Sequence, residues 1–464
     1  MNFDDPQPGL SADQAARAEQ LTKELADLGC HGIVLSWVDN IGVNRVKTIP
    51  IQRLSTVAAW GVGMSPCFDT FLADDSTTMS PLLGGPDGDL RLIPDLDSVT
   101  ALAAQPGWAW APVDRLAQDG VPHVACSRSI LRRVLRDAAA VGESYLAALE
   151  IEFALGLAGD SDDFVPACHG PAYSMTRLIE QSEFGADLLD CLAQQGIPVE
   201  QLHPEYSTSQ YELSVGALDP LGAADRSVLA RQTIRAVARR HGLRVSFAPV
   251  VVAGTVGNGG HAHISCWRDG KNLHAGGSGR YGMSAAAESF VAGLLRELPA
   301  LTAISTPSPI SYLRMQPSQW AGAYTCWGRE TREAAVRVIT GMTGSQAHAA
   351  NVEFKCADLT ANPYLLLAGI VAAGRAGIAD SLPLGAEIHG DPALLDEQQA
   401  AALGVHRLPV SLDAAVDAFE KSPLLAQTYG EALSGAIIAV RRAEADRVRE
   451  LTPAELASTY RWVF

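Results

Sequence analysis

The chain has 464 residues, of which 47% are hydrophobic and 19% are charged, and its formal net charge is −17. This composition is typical of a soluble globular protein with a large core, and the length predicts more than one domain. The acidic balance argues against binding to a nucleic-acid backbone, which requires clustered Lys and Arg.

The eight cysteines are scattered and none forms a Cys-x-x-Cys pair. This pattern predicts reduced, mostly buried thiols and no disulfide framework or zinc ribbon. Residues 1–9 lack the basic-then-apolar pattern of a signal peptide. The longest apolar run, residues 364–373, is far shorter than the ~20 residues of a membrane-spanning helix. We therefore expect a soluble cytoplasmic protein.

The first part of the chain predicts a small mixed sheet with one helix. Ser11 is a suitable N-cap for a helix over 11–28, and a turn at 39–42 joins two strands into a hairpin. Residues 64–88 have the composition of a loop. The strands of this part are predicted at 32–38, 43–49, 91–95 and 109–112.

After a turn at 119–122 the pattern alternates between helices and strands, which predicts an α+β fold. Helices are predicted at 129–140, 174–195, 221–241, 283–305, 362–379, 411–420 and 434–449. Strands are predicted at 145–155, 199–203, 210–216, 244–251, 260–267, 334–339 and 350–355. We expect two domains, one over 1–118 and a larger one over 119–464.

The predicted strand near 150 carries two carboxylates, Glu150 and Glu152. Alternate side chains of a strand point to the same face, so the two like charges are expected side by side. Such a pair costs free energy unless a cation, a basic group or a shared proton offsets it. Taken alone, this pattern favours an ordinary solvated strand face.

Further stretches add groups that suit metal and phosphate chemistry. The acidic and imidazole groups are Glu205, Glu212, His261, His263 and Glu353, and the basic ones are Arg314, Arg329, Arg332 and Arg337. Sites rich in Glu with a single His suit Mg²⁺ or Mn²⁺, and Arg clusters beside such ions suit phosphate groups. Together these residues predict a metal-dependent enzyme that handles phosphate.

The order and spacing of these motifs resemble the glutamine synthetase family, in its type I-like form, over almost the whole chain. The most specific pieces are the Glu-x-Glu strand, His-x-Glu-(x)4-Gln-x-Glu at 203–212, the Gly-rich loop with His-x-His, Ser-Tyr-x-Arg at 311–314, and Glu353 before Asn-Pro-Tyr at 362–364. The resemblance implies a small N-terminal β-grasp-like domain and a large catalytic domain with a curved antiparallel half-barrel sheet and helices.

The resemblance also implies roles for individual residues. One divalent ion, Mg²⁺ or Mn²⁺, would be held by Glu152, Glu205 and Glu212, and another by Glu150, His261 and Glu353. ATP phosphates would contact His263 and Ser265, and the transferring phosphoryl group would be steadied by Arg332 and Arg337. Glutamate would be bound by Arg314 and by the loop with Gly257 and Gly259, near Lys355, which stands where the family usually has Arg.

The chain departs from ammonia-using members at the amine site. In those members a Glu follows the arginine of Ser-Tyr-x-Arg and takes a proton from ammonium, whereas the corresponding position here is Trp320. An indole cannot act as a base, but it offers an apolar wall and a π face to an amine. Asp69 is the candidate for the acidic loop of this site, acting on a neighbouring subunit, and Tyr173 is the candidate for the family's tyrosine.

These departures predict a γ-glutamyl-amine ligase that uses ATP, glutamate and a small primary amine through γ-glutamyl phosphate. Ethanolamine is the expected amine. Alternatives are a polyamine such as putrescine or spermidine, for which Asp74 and Asp75 could supply extra carboxylates, an ordinary glutamine synthetase, and a non-catalytic family member. A cupin-type metal protein would also explain His261 and His263, but it needs a Glu soon after them, and the first acidic residue there is Asp269. Resemblance alone predicts two stacked rings of six subunits with active sites between neighbours.

Overall fold

The computed structural model describes residues 11–464, so the segment 1–9, predicted to lack a signal peptide, lies outside the described residues. The α-helices are α1 Ala12–Asp27, α2 Leu54–Trp60, α3 Ser127–Ala139, α4 Met175–Glu180, α5 Ser182–Gln194, α6 Pro220–Arg240, α7 Ala285–Ser305, α8 Ser311–Arg314, α9 Gln346–Ala349, α10 Pro363–Ala379, α11 Glu397–Leu403, α12 Leu412–Phe419, α13 Pro423–Tyr429, α14 Glu431–Arg447 and α15 Pro453–Tyr460. The strands are β1 Gly32–Val38, β2 Asn44–Pro50, β3 Val62–Met64, β4 Leu90–Pro94, β5 Thr100–Ala101, β6 Trp108–Leu116, β7 Glu143–Leu149, β8 Ile151–Leu157, β9 Val199–Pro204, β10 Gln210–Val215, β11 Leu243–Ser246, β12 Ala262–Arg268, β13 Lys271–Asn272, β14 Trp327–Arg329, β15 Val336–Ile339 and β16 Asn351–Phe354.

The first sheet has the strand order β2-β1-β6-β4-β3, with β5 paired to β6. The central pair β1 and β6 is parallel, and the other pairs are antiparallel. Ser11 is the N-cap of helix α1, as predicted, and its side chain and that of Gln14 form a capping box. The prediction of one helix here was wrong, because the short α2 also packs its buried face into the same hydrophobic core.

The larger part of the chain holds two further sheets that share one continuous segment. Strand β7 pairs with β12 in one sheet, and β8 pairs with β10 and β11 in the other. The strand predicted over 145–155 is therefore two strands, and Glu150 lies at the break between them. These sheets curl into a half-barrel, which confirms the α+β fold with a curved sheet.

Helix α10 is the buried support of this half-barrel and packs most extensively on α7. Its N-cap Asn362 accepts hydrogen bonds from the amides of Tyr364 and Leu365, and its amide donates to the carbonyls of Val38 and Asp39. One side chain thus caps the helix and joins it to the end of β1.

Most predicted helices and strands are present, with boundary shifts. The helix predicted over 174–195 is divided into α4 and α5, and the strand predicted over 244–251 ends at Ser246. The boundary at 118/119 stays a prediction, and β6, the last strand of the first sheet, ends at Leu116. The eight cysteines are free, and all except the half-buried Cys67 are buried. No helix among residues 11–464 has the length and apolar character needed to cross a membrane.

Candidate active site

The candidate site is a cavity of about 630 Å³ where the two curled sheets meet. Strands β8, β9 and β10 line one side, and β16 and the segment before β12 line the other. The predicted site residues that line it are Glu150, Glu152, Tyr173, Glu205, Glu212, Gly257, His261, Arg314, Trp320, Arg332, Glu353 and Lys355.

The first cluster of possible ligands, here called the Glu150 group, consists of Glu150, His261 and Glu353. Nδ1 of His261 lies 2.8 Å from Oε2 of Glu150 and 3.4 Å from Oε1 of Glu353. The three ligand atoms lie within 4.8 Å of one another. This is the combination of residues that the resemblance implied for one ion.

The second cluster, here called the His203 group, consists of His203, Glu205 and Glu212. His203 contacts Oε1 of Glu205 at 3.4 Å through Nδ1 and Oε1 of Glu212 at 3.6 Å through Nε2. Sequence reasoning assigned Glu152 to this place and gave His203 no role. Glu152 lies opposite Glu212 on the neighbouring strand, and its Oε2 accepts a hydrogen bond from the amide of Gly259 at 2.8 Å.

Close packing of acidic and basic groups shifts several pKa values. Burial alone would raise the pKa of Glu150, but the imidazoles of His263 and His261 outweigh it and hold this pKa well below its usual value. Burial is likewise outweighed at Glu353, where Lys355 and the same imidazoles lower the pKa to about 2. For Glu152 burial wins, and its pKa is raised. The carboxylates therefore differ in how strongly the protein stabilises their charged form.

Both groups fit a hard divalent cation by their donor chemistry. Each offers carboxylate oxygens and a single imidazole nitrogen, with no thiolate among the ligands. Burial and, after it, repulsion from Glu152 and Glu212 raise the pKa of Glu205, and a cation at the His203 group would relieve that repulsion.

The Gly-rich loop is held tightly against these carboxylates. The amide of Gln210 donates to Oε2 of Glu152 at 3.2 Å and to the carbonyl of Gly257 at 2.9 Å. A Cβ added to Gly259 would lie 2.5 Å from Nε2 of His261 and 2.8 Å from Nη2 of Arg314. The loop can approach the site this closely only because glycine has no side chain there.

Basic side chains occupy the other side of the site. Arg314 is buried, donates to Nε2 of His261 at 2.9 Å, and has no carboxylate partner within residues 11–464. Arg337 bridges Glu353 at 2.9 Å and Glu330 at 2.8 Å, while Arg332 is exposed to the cavity. A buried guanidinium without an acidic partner suits a carboxylate ligand.

Four aromatic rings follow one another along the cavity wall. Trp320 meets Tyr206 edge to face with ring centroids 5.0 Å apart, and Tyr206 meets Tyr173 in the same way at 5.4 Å. Tyr173 stacks on His203 at 5.4 Å and donates a hydrogen bond to Glu205. The wall therefore places aromatic rings next to a carboxylate, a combination that suits alkylammonium groups.

Some predicted residues do not face the cavity. His263 stands behind Glu150, with Nε2 3.0 Å from Oε1 of that residue. Ser265 is buried and accepts a hydrogen bond from Nε1 of Trp267 at 2.8 Å. Neither belongs to the cavity lining, although both residues are described.

The acidic residues expected near the amine are engaged elsewhere in this chain. Asp69 is 1% exposed and forms a buried ion pair with Arg115 at 2.8 Å. Asp75 pairs with Arg45 at 2.6 Å, and Asp74 lies 3.7 Å from Arg447. Asp69 therefore does not reach the cavity of its own subunit, and its predicted action on a neighbouring subunit stays a prediction.

Comparison with known proteins agrees with this geometry. A family model described as the glutamine synthetase catalytic domain matches residues 124–459. Gamma-glutamylpolyamine synthetase GlnA3 of Streptomyces coelicolor is 58% identical over 467 residues, covering 100% of this chain and 100% of that protein. A crystal structure of a novel glutamine synthase homolog superposes with a TM-score of 0.84 at 31% identity, covering 94% of this chain and 99% of that one. A GmaS/ADP complex (conformation 1) gives 0.81 at 29% identity, covering 93% and 97%.

Proposed function

The chain belongs to the glutamine synthetase family as a glutamate–amine ligase, and we propose on that premise that its amine substrate is a polyamine such as putrescine or spermidine. The observation that carries the proposal is the 58% identity over the full chain with a gamma-glutamylpolyamine synthetase. This relative supports the polyamine alternative. The sequence alone favoured ethanolamine.

The family generally uses ATP and divalent metals, and we assign the metals to the two ligand groups. The Glu150 group would hold one ion, and the His203 group, with Glu152 beside it, the other. We propose Mg²⁺ or Mn²⁺, because carboxylates dominate both groups. Such ions neutralise charge on the transferring phosphoryl group when they are bound.

The basic residues supply the binding of glutamate and of the phosphoryl group. We propose that Arg314 binds the α-carboxylate of glutamate. Its guanidinium is buried, can donate two parallel N–H hydrogen bonds to a carboxylate, and has no acidic partner in the described residues. Arg332 and Arg337 would steady the phosphoryl group, with His263 and Ser265 on the nucleotide side. Lys355 stays 3.2 Å from Glu353 and balances its charge.

The proposed reaction has two steps, and each step conserves atoms and charge. The γ-carboxylate of glutamate attacks the γ-phosphorus of ATP, and ADP leaves. The neutral amine nitrogen then attacks the γ-carbonyl of the acyl phosphate, phosphate leaves, and the nitrogen loses a proton. Trp320 cannot accept that proton, but with Tyr173 it supplies aromatic surface in the cavity lining that favours an amine with an alkyl chain.

The test is an amine panel with the purified full chain, ATP, glutamate and Mg²⁺ or Mn²⁺. ADP release and the mass of the γ-glutamyl product are measured with putrescine, spermidine, ethanolamine, methylamine and ammonia. We expect kcat/KM for a polyamine to exceed that for ethanolamine and ammonia by at least about tenfold. Glu150→Gln provides the inactive control for contaminating ATPase.

Each other result would overturn part of the proposal. Preference for ethanolamine or ammonia would refute the polyamine assignment, and the absence of product with every amine of the panel would support a non-catalytic member. Activity that survives complete chelation of divalent ions would refute the metal assignment. We also propose two stacked hexameric rings as the assembly, and a monomeric mass in solution would refute it.

A further inference from the structure

The segment 315–322, here called the flap, carries Trp320 over the cavity in an unusual backbone conformation. Ser318 and Trp320 have φ angles of 58° and 54°, in the left-handed region that side-chain-bearing residues rarely adopt. Each such residue costs about 1–3 kcal/mol and persists only where its surroundings hold it. Contacts outside the flap must therefore stabilise this shape.

Two acidic side chains hold the flap. Oε1 of Glu333 accepts a hydrogen bond from the backbone amide of Trp320 at 2.9 Å, and Asp391 accepts one from the hydroxyl of Ser318 at 2.6 Å. Glu333 is 8% exposed, whereas Trp320 is 45% exposed. The buried carboxylate thus fixes the backbone of the residue whose indole faces the cavity.

This backbone conformation places the indole against Tyr206. The two rings meet edge to face at 5.0 Å, and both residues line the cavity near Glu205. Tyr206 belongs to the turn between β9 and β10, and its amide donates to Oε2 of Glu205 at 3.1 Å. The contact therefore joins the flap to the turn that carries a proposed metal ligand.

We propose that Glu333 is a positioning residue that sets amine selectivity by holding Trp320 against Tyr206. The pair forms the part of the aromatic wall that receives the methylene chain of an alkylammonium substrate, and a small amine such as ammonia gains nothing from it. The inference rests on the proposed amine ligase function and adds two residues that the sequence did not single out.

The experiment compares Glu333→Ala, Glu333→Gln and Tyr206→Ala in the full chain. Glu333→Ala removes the acceptor, and we expect kcat/KM for putrescine to fall about tenfold relative to ammonia, with KM for glutamate and ATP unchanged. Glu333→Gln keeps a carbonyl acceptor and should retain the wild-type ratio. Tyr206→Ala should shift the ratio in the same direction.

A double variant tests whether Glu333 acts through the aromatic pair. If it does, Glu333→Ala combined with Tyr206→Ala shifts the ratio no further than Tyr206→Ala alone, because the same contact is lost once. Trp60→Ala is the control, since Trp60 is 50% exposed, lies at the end of α2 and does not line the cavity. It should leave the ratio unchanged.

The failures of the two proposals give different results. A wild-type enzyme without activity on polyamines refutes the proposed function. A wild-type enzyme with that activity, in which Glu333→Ala lowers turnover of all amines equally or raises KM for glutamate, refutes the positioning role. If Glu333→Ala does not fold, an unchanged amine ratio in Tyr206→Ala still refutes the inference.

Discussion

At Gly259 a single added methyl group should greatly lower activity and only slightly lower stability. A Cβ there would lie 2.5 Å from Nε2 of His261, 2.8 Å from Nη2 of Arg314 and 2.9 Å from Oε1 of Glu152. All three distances are shorter than the separations that real Cβ atoms show. The φ of Gly259 is not in the left-handed region, so Gly259→Ala introduces a steric clash without backbone strain.

The size of the effect follows from which atoms must move. The methyl group would push against the contact between Arg314 and His261, which is 2.9 Å long. Relief requires these side chains to move by about 1 Å, and displacements of that size in a reacting site cost about 100-fold in rate. Because the clash is with ends of side chains, we expect the free energy of unfolding to change by only about 1–2 kcal/mol.

The assay measures kcat and KM for glutamate and an amine, together with thermal unfolding, for Gly259→Ala and Gly159→Ala. Gly159 is the matched control, because a Cβ there meets nothing within 4 Å and its φ is also outside the left-handed region. We expect the control to behave as wild type. Activity of Gly259→Ala within about threefold of wild type would refute the reasoning.

Further predictions concern the glutamate site, the flap and a buried histidine. Arg314→Lys should raise KM for glutamate about tenfold or more with KM for ATP unchanged, because Lys lacks the bidentate fork; equal changes in both would contradict the assignment. Trp320→Glu should shift preference toward ammonia in the amine panel, and an unchanged ranking would refute a role for Trp320 in amine choice. His274 is buried, neither ring nitrogen has a hydrogen-bond partner among residues 11–464, and burial lowers its pKa to about 4. Below about pH 6.5 the unfolded chain therefore binds a proton at His274 that the folded chain does not bind. This difference lowers the free energy of unfolding by about 2 kcal/mol at about pH 5. His274→Phe should lose less stability between about pH 7 and about pH 5 in chemical unfolding, and a loss equal to that of wild type would contradict this sign.

The Glu-x-Glu strand shows what could and could not be predicted from the sequence alone. The pattern predicted two adjacent carboxylates, and both Glu150 and Glu152 line the cavity. It did not predict that the strand breaks at Glu150, because the buried residues Leu149, Ile151 and Phe153 continue the two-residue alternation without interruption across the break. Which sheet each half joins depends on pairing with distant strands.

Residues that the sequence missed owe their positions to contacts between distant segments. His203 reaches the site because strand pairing sets it opposite Glu212, and this register is not encoded near either residue. Asp69 was expected near the amine, but Arg115, 46 residues away, neutralises it in the interior. Glu333 accepts a hydrogen bond from the amide of Trp320, whose φ lies in the left-handed region. The sequence does not indicate this conformation, because the residue there is not a glycine.

The proposed amine site differs from the proposed phosphoryl site in how it is built, and this difference bears on how much of each the sequence can predict. Most groups proposed for metal and phosphate lie on strands or at their ends, such as Glu152 on β8 and Glu353 on β16, where backbone ladders fix them. The aromatic wall instead depends on the flap and on the β9–β10 turn, each held by a few side-chain hydrogen bonds. Substitutions in those two segments can change the amine without disturbing the ladders that hold the carboxylates. Sequence motifs therefore predict the chemistry that the family shares. Predicting the amine requires contacts seen in the structure, such as that between Trp320 and Tyr206.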